Sequence, residues 1–518
     1  MRANHKTAGL LLTLVLCIAF SSGAVAAENP GIVGIDIVSV NDFHGALLEA
    51  GRNPGAAKFA TFLRSEWAKN PHGTIFLSAG DMFQGSPDSN LLYGKPVVEV
   101  LNAMRLDAMT LGNHEFDWGL AKLKDRVMES KFPYISANVQ ERDSLGRMDF
   151  VKPYVLLERC GVKIAVIGIV TPETAHTTNP KTVEPFEFRS PEAVVKELLP
   201  AVRAQGAEIV VVLSHLASYQ DKKTGEVTGD AANLASQATG IDAVVSGHSH
   251  QSVAGKVSGI PVVQAYYNGR ALGRISLVYS RQEKKVIAST VRALEVPVKD
   301  AILDPEIAAI VNSSQSEIAP VKNVPLGKTI EALSHDRYGL SVLGQWSSDV
   351  MRSVAKADIA FQNGGGLRTS IPAGDITMGN LYEVMPFDNT LVTMDLTGEQ
   401  VLAVLNHGIN NAKLGTVQFS GLQVMVDSNN PFGSQVIEVR LNDGSFLEPS
   451  ATYRIVTNDF MAAGGDEYFM LKQGKNITDT FIPVRDALAE AIRKAGTLRV
   501  QFDGRMRELR GIVLKPAA

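Results

Sequence analysis

Cysteine is nearly absent from this chain: its 518 residues include two, Cys17 and Cys160. Cys17 lies inside an amino-terminal apolar run, so a processed chain keeps only Cys160, which excludes an internal disulfide and any thiolate metal cluster. An excess of one charge is lacking as well. The 50 Lys and Arg against 54 Asp and Glu leave a formal net charge of -4, with no basic field of the kind that a nucleic-acid polymer needs and no run of like charge to mark a tail. Apolar runs of membrane-spanning length are missing too. The run from Ala8 to Phe20 is shorter than the roughly 20 residues that a span requires. There is no long internal repeat and no low-complexity segment, and no obligate protein partner is evident.

What is present at the amino terminus is the pattern of a secretory signal. Arg2 and Lys6 precede the apolar run, and small residues ending in Ala24-Val25-Ala26-Ala27 follow it, which predicts a signal peptide over residues 1–27 cleaved near Ala26 or Ala27. Leu16 is bulky where a lipid-modified cysteine would be preceded by a small residue, and Gly511 to Ala518 contain no hydrophobic tail of the type that directs a glycolipid anchor. The expectation is an exported, disulfide-free protein of the periplasm or cell exterior, without a stable membrane span once mature. Cys160, beside the apolar run Val162 to Val170, reads as a buried small hydrophobe.

The length requires at least two cores. From Glu28 to about Pro297, Val- and Ile-rich runs alternate with amphipathic stretches, the signature of α/β architecture. The runs are Ile32 to Val40, Thr74 to Ser78, Ala108 to Leu111, Lys163 to Val170, Glu208 to Leu213, Ala243 to Val245 and Val262 to Gln264; Pro54 to Lys69 and Ser190 to Ala204 read as helices. Asp304-Pro305 has the form of a cap followed by proline at the first helical position, so Pro305 to about Val321 is expected to be a connecting helix.

Five of the runs end in a polar cluster: Asn41-Asp42-Phe43-His44, Ala79-Gly80-Asp81, Gly112-Asn113-His114-Glu115, Ser214-His215 and Ser246-Gly247-His248-Ser249-His250. Ligands in open α/β sheets collect beyond the carboxyl ends of strands, so these clusters can converge. A two-metal hydrolytic site needs oxygen and imidazole donors from separate elements and one carboxylate able to bridge cations about 3.5–4 Å apart. Asp42, His44, Asp81, Asn113, His215, His248 and His250 are such a set, with Asp81 as the bridge. Read as extended segments, Asp42 with His44 and His248 with His250 would each point to one side. The absence of thiolates favours Zn, Mn or Co in a catalytic role. His114 can titrate near neutral pH, and Asp117, one helical turn on, can hold its imidazole. Glu115 and Trp118 are assigned to structure. After Lys322 a different set of signals appears: Gln362-Asn363-Gly364-Gly365-Gly366-Leu367-Arg368, Met385-Pro386-Phe387-Asp388-Asn389 and Asn458-Asp459-Phe460-Met461-Ala462-Ala463-Gly464-Gly465-Asp466. The triple glycine lets backbone approach a ligand, and Arg368 follows as a clamp for phosphate or carboxylate.

In their order, the first five clusters resemble the metallophosphoesterase superfamily, and with Asn363 to Arg368 and Gly464-Gly465-Asp466 the whole mature chain resembles the secreted 5'-nucleotidase family, which includes UDP-sugar hydrolases. The resemblance implies a four-layer α/β/β/α sandwich over residues 28–300, a linking helix over 301–321 and an α+β substrate-binding domain over 322–518. It implies two divalent metal ions, one held by Asp42, His44, Asp81 and His250, the other by Asp81, Asn113, His215 and His248. Several relatives have an amide where this chain has His250, a departure that bears on metal preference. His114 and Asp117 would be the catalytic dyad, with His114 as an imidazolium donating to a phosphoryl oxygen. Phe387 and Phe460 would stack the base, Asp466 would bind ribose, and Asn363, Gly365, Arg368 and Arg337 would line the substrate site. The implied activity is phosphate release from nucleoside 5'-phosphates, with the second domain rotating between open and closed arrangements. The alternatives are a relative acting on 2',3'-cyclic nucleotides, dinucleotides such as NAD, or sulfur esters with the same metals, and an inactive nucleotide-binding surface protein.

Overall fold

The computed structural model describes residues 31–509. The signal-peptide expectation and the carboxyl-terminal reading from Gly511 onward lie outside the described residues. Among the described residues, no helix is long and apolar enough to cross a membrane.

The first part is built on two six-stranded sheets. One runs in the order Lys285–Glu295, Ala271–Ser280, Ile32–Val40, Thr74–Ser78, Ala108–Thr110, Tyr134–Ile135. The other runs Ser252–Val257, Ile260–Ala265, Ala243–Ser246, Ile209–His215, Val162–Val170, Tyr154–Arg159. The strands from Ile32–Val40 to Tyr134–Ile135 are parallel, with Val40 beside Ser78, Ser78 beside Met109 and Thr110 beside Ile135. In the second sheet, Ile260–Ala265, Ala243–Ser246, Ile209–His215 and Val162–Val170 are parallel. Both sheets therefore bring the carboxyl ends of their parallel strands to one rim.

The near-continuous apolar runs follow from burial on both faces. Ile35, Ile37, Ile75 and Leu77 of one sheet pack against Ile164, Val166, Val211 and Leu213 of the other. On the outer faces, Gly55–Trp67 and Lys95–Ala103 cover the first sheet, and Pro191–Ala204 with Asp230–Gln237 cover the second. The result is the expected four-layer α/β/β/α sandwich. Sequence reasoning missed the antiparallel strands Tyr154–Arg159, Ser252–Val257, Ala271–Ser280 and Lys285–Glu295. Three of these are the outermost strands of their sheets and have at most one buried position each, so they lack the buried runs that marked the others.

Two readings are corrected. Cys160 is exposed, not buried: it turns the chain between Tyr154–Arg159 and Val162–Val170 at φ +51, and the buried run starts only at Val162. The segments of Asp42 with His44 and of His248 with His250 are not extended, since all four residues have positive φ.

Helix Pro305–Lys322 begins as expected, with Asp304 accepting from the Glu306 and Ile307 amides. Its Ile307 and Val311 enter the core that covers the first sheet, and Lys322 pairs with Asp88 at 2.9 Å. The second part is mixed α and β around a five-stranded sheet in the order Gln418–Ser420, Ile359–Gln362, Thr452–Asn458, Thr390–Thr397, Lys475–Pro483. Ile359–Gln362 and Thr452–Asn458 are parallel neighbours, so the triple-glycine segment and the Asn458 to Asp466 segment leave the sheet side by side.

Candidate active site

Each of the five clusters follows its strand into the shared rim. The Asp42 amide donates to Gly80 O at 2.9 Å, the His44 amide to Asp81 O at 3.1 Å, and the Asn268 amide to Asp42 O at 2.7 Å. These bonds hold Asp42, His44 and Asp81 at φ values of +49, +51 and +55, and His248 and His250 stand at +76 and +55. Non-glycine residues in this region are uncommon and cost energy, so the surrounding structure must impose it. Two glycines make room. A β-carbon on Gly112 would lie 2.2 Å from Asp81 Oδ1, and one on Gly247 would lie 2.9 Å from His215 Nδ1.

The seven proposed ligands converge. His44 Nε2 is 2.9 Å from His250 Nε2, and His250 Nε2 is 3.3 Å from Asp42 Oδ1. His215 Nε2 is 3.1 Å from Asp81 Oδ2 and 3.2 Å from Asn113 Oδ1, and His248 Nδ1 is 3.1 Å from Asn113 Oδ1. Three of the imidazoles have their outer nitrogen beside an acceptor: His44 Nδ1 at Gln84 O (2.9 Å), His215 Nδ1 at Ala79 O (2.7 Å) and His248 Nε2 at Glu173 Oε2 (3.0 Å). Outward donation turns the inner nitrogens toward the cluster, where, deprotonated, they offer the lone pairs that a cation requires of histidine ligands. Asp42, His44 and His250 form one group able to hold a metal ion, Asp81, His215 and His248 another, and His44, Asp81 and His114 a third. The donor set of carboxylate, amide oxygen and imidazole fits divalent cations.

The electrostatics are those of a compact set of opposite charges. Burial resists ionisation at Asp81, but the His215 and His114 imidazoles outweigh it and hold its carboxyl well below the usual range. At His215 burial opposes the charge, yet Asp81 and Asp42 raise the imidazole to about 9. Burial, then the neighbouring His250, press His44 down to about 3.

His114 opens the 3₁₀ turn His114–Phe116 and anchors its amide on Asp81 Oδ1 at 2.9 Å. Its Nδ1 is 2.7 Å from Asp117 Oδ2. Burial works against the imidazolium, but Asp117 and Asp81 prevail and lift it to about 9. Glu115, read above as structural, is engaged by backbone. Its carboxylate accepts the amides of Asp81 (2.8 Å), Met82 (2.9 Å) and Gly112 (2.7 Å), tying two of the clusters together. Burial and the Asp81 charge push it up to about 7 against those bonds.

A cavity of about 760 Å³ joins this centre to the second part, and its wall includes all of Asn363, Gly365, Arg368, Phe387, Phe460, Asp466 and Arg337. Asn363 Nδ2 donates to Asp466 Oδ2 at 2.7 Å, and Asn458 Nδ2 to Asn363 Oδ1 at 3.0 Å, so the two parallel strand ends are cross-braced. The Phe387 ring lies 6.0 Å from that of His114, and the Arg368 guanidinium 6.0 Å from Phe387. Trp118 also reaches the cavity wall while its indole meets Tyr93 edge-on. Among the described residues, Gln84 Nε2 and Arg337 Nε, both belonging to cavity-lining side chains, are buried without an acceptor.

Sequence reasoning missed Glu173, Thr178 and Lys413. The Thr178 hydroxyl donates to Asp117 Oδ1 at 2.6 Å, and Glu173 reaches both His248 and, at 2.8 Å, Lys413 Nζ. The signal available was positional: Val162–Val170 is another parallel strand of the second sheet, and the segment after its carboxyl end had no metal-type cluster to draw notice.

Two family models match: calcineurin-like phosphoesterase over residues 35–252 and the 5'-nucleotidase C-terminal domain over 318–473. Protein UshA of Yersinia enterocolitica is 30% identical over 96% of this chain and 98% of its own length. The trifunctional nucleotide phosphoesterase YfkN of Bacillus subtilis is 30% identical over 92% of this chain, which spans only 35% of that longer protein. The crystal structure of a 5'-nucleotidase precursor from Thermus thermophilus superposes with a TM-score of 0.80 at 29% identity, covering 92% of this chain and all of that one. The UshA match runs nearly the full length of both proteins and the two models fall on the two parts that enclose the cavity, so the chain belongs to the two-domain 5'-nucleotidase family of metallophosphoesterases.

Proposed function

We propose that this protein is an exported hydrolase that uses two divalent metal ions to release phosphate from nucleoside 5'-phosphates. Residues 28–300 serve as the catalytic domain, 301–321 as the link and 322–518 as the substrate-binding domain. The observation that supports this most is the single cavity whose wall carries a His/Asp/Asn cluster and the His114–Asp117 pair at one end and Phe387, Phe460 and Asp466 at the other. Export is supported by the amino-terminal pattern of residues 1–27.

Asp42, His44, Asp81 and His250 would hold one ion, and Asp81, Asn113, His215 and His248 the other. When bound, such ions supply Lewis-acid polarisation of a phosphoryl oxygen and a nucleophilic water at neutral pH. The chain's own groups do the rest. His114, held as imidazolium by Asp117, donates its remaining N–H to a phosphoryl oxygen as charge builds there. Arg368 adds a fixed positive charge. Phe387 and Phe460 take the base by stacking, and Asp466, braced by Asn363, accepts from ribose hydroxyls.

The test is a phosphate-release panel over nucleoside monophosphates, UDP-glucose, cyclic nucleotides and NAD, with Zn, Mn or Co returned after chelation. Turnover of AMP-type substrates that is lost on chelation and restored by metal is expected. Absence of nucleotide turnover in fully metallated protein would refute the reading.

A further inference from the structure

We infer that residues 171–183 form a positioning loop, through which the seating of the second domain is transmitted to the catalytic groups, with Thr178 and Glu173 as its positioning residues. The inference rests on the hydrolase reading above.

The loop leaves strand Val162–Val170 and is fastened at its root. Asn138 Nδ2 donates to Val170 O at 2.8 Å and to Arg189 O at 3.1 Å, and its Oδ1 accepts the Val170 amide at 2.9 Å. Within it, Thr174 bonds back to Thr171 O, Thr177 to Glu173 O, and Asn179 Oδ1 accepts the Lys181 amide, so each of the two short turns is pinned by its own side chains.

Its inner face holds both halves of the catalytic apparatus. Asp117 has two carboxylate oxygens: one faces His114, and Thr178, 2% exposed, donates to the other at 2.6 Å. Together they fix the carboxylate plane, hence the tilt of the His114 ring. Glu173 Oε2 takes His248 Nε2 at 3.0 Å, which leaves Nδ1 facing Asn113 Oδ1. The hydrogen bond to His248 is also the main reason that the Glu173 carboxyl is lowered to about 2.

Its outer face is gripped by the second domain at three points. Lys413 Nζ bridges Glu173 at 2.8 Å and Glu467 at 3.2 Å. Asn179 Nδ2 donates to Asp459 Oδ2 at 3.0 Å, and the His176 and Phe469 rings meet edge-to-face at 5.3 Å. Asp459 is the residue before Phe460, and its other oxygen accepts from Asn389, two residues after Phe387. The backbone segments that carry the two phenylalanines are thus the ones that grip the loop. Glu173 bonds with each oxygen to a different side, metal ligand within and Lys413 without. A loop held this way is fully ordered only while the second domain is seated. Thr178 and Glu173 then hold Asp117 and His248 only in that arrangement.

The experiment uses the full chain reconstituted with Mn and assayed on AMP. Thr178→Val should lower kcat about tenfold or more with KM changed little, as expected for a group that orients a transition-state donor, and Thr178→Ser should restore most of it. Loosening the outer grip at two of its three points, by Lys413→Met with Phe469→Ala, should lower kcat comparably. Adding Thr178→Val to that pair should cost nothing further, whereas independent sites would multiply. Glu173→Ala should weaken Mn binding, measured by chelator competition, by about tenfold. Amide hydrogen exchange across 171–183 should rise in the grip variant. Multiplying losses, no rescue by serine, unchanged Mn affinity in Glu173→Ala, or unchanged exchange would each overturn the inference. A wild-type protein that turns over no nucleotide would instead fail the functional reading, while the exchange measurement still judges the loop.

Discussion

Glu115→Gln is the sharpest test of how the site is held together. The wild-type carboxylate accepts three backbone amides: Asp81 and Gly112 on Oε2, and Met82 on Oε1. A glutamine can keep its oxygen toward Asp81 and Gly112, but its amide nitrogen then faces the Met82 N–H, donor against donor. Burial and the Asp81 charge outweigh those three bonds and push the carboxyl up to about 7, so removing the charge does not itself cost stability near neutral pH. What is lost is the pairing at Met82: one buried N–H left unsatisfied, at most about 1–3 kcal/mol. Glu115→Ala strands all three donors and should cost about 3–9 kcal/mol on the same scale. Urea unfolding of the metal-free protein reads both numbers, and metal titration reads the accompanying loosening of Asp81. Once saturated with metal, Glu115→Gln should retain kcat within about fivefold, since an interaction that only positions ground-state structure leaves the chemical step largely intact. Unchanged stability together with a large fall in kcat would show Glu115 to be chemical and sink the reasoning.

His114→Ala should reduce kcat by about 10²–10³-fold, the usual cost of removing one preorganised donor to a developing oxyanion, with metal content unchanged; near-full turnover with both metals bound would rule His114 out. Gly112→Ala places a methyl 2.2 Å from Asp81 Oδ1, so metal affinity by chelator competition should fall at least tenfold, of the order seen when ligand orientation is disturbed. An unaltered affinity would mean that the Gly112 approach is not needed. Phe387→Ala and Phe460→Ala should each raise KM for AMP by the equivalent of about 1–3 kcal/mol of base stacking, with phosphate release from a small non-nucleotide ester little changed. Equal losses on both substrates would argue against a base platform.

The site was legible in one dimension because its residues sit where chain geometry puts ligands. Buried parallel strands need continuous apolar runs, and Val40, Ser78, Thr110 and Ser246 each hand over to polar residues at the same rim, with His215 itself ending its strand. The His114–Asp117 pair was legible because the two residues are three apart on one turn. The second-domain motifs were legible through their composition and the family resemblance, above all the triple glycine with Arg368; that two of them leave parallel strand ends into one cavity is what the structure adds. Edge strands such as Lys285–Glu295 were not, because a half-exposed strand has no run to recognise.

What the sequence by itself determined is the inventory: the donor types, their order along the chain, the near absence of thiol, and the strand, turn and helix that carry each group. Tertiary structure alone decided the rest. The conformations of Asp42, His44, Asp81, His248 and His250 are left-handed because long-range bonds such as Asp42 N to Gly80 O and His248 N to Asp42 impose them, against the local preference that suggested extended segments. Glu173 and Thr178 acquire roles only because the second sheet places the end of Val162–Val170 beside His215, and because the second domain then closes over that loop with Lys413, Asp459 and Phe469. Local sequence encodes which group a residue offers; which group it meets is set by contacts that span hundreds of residues.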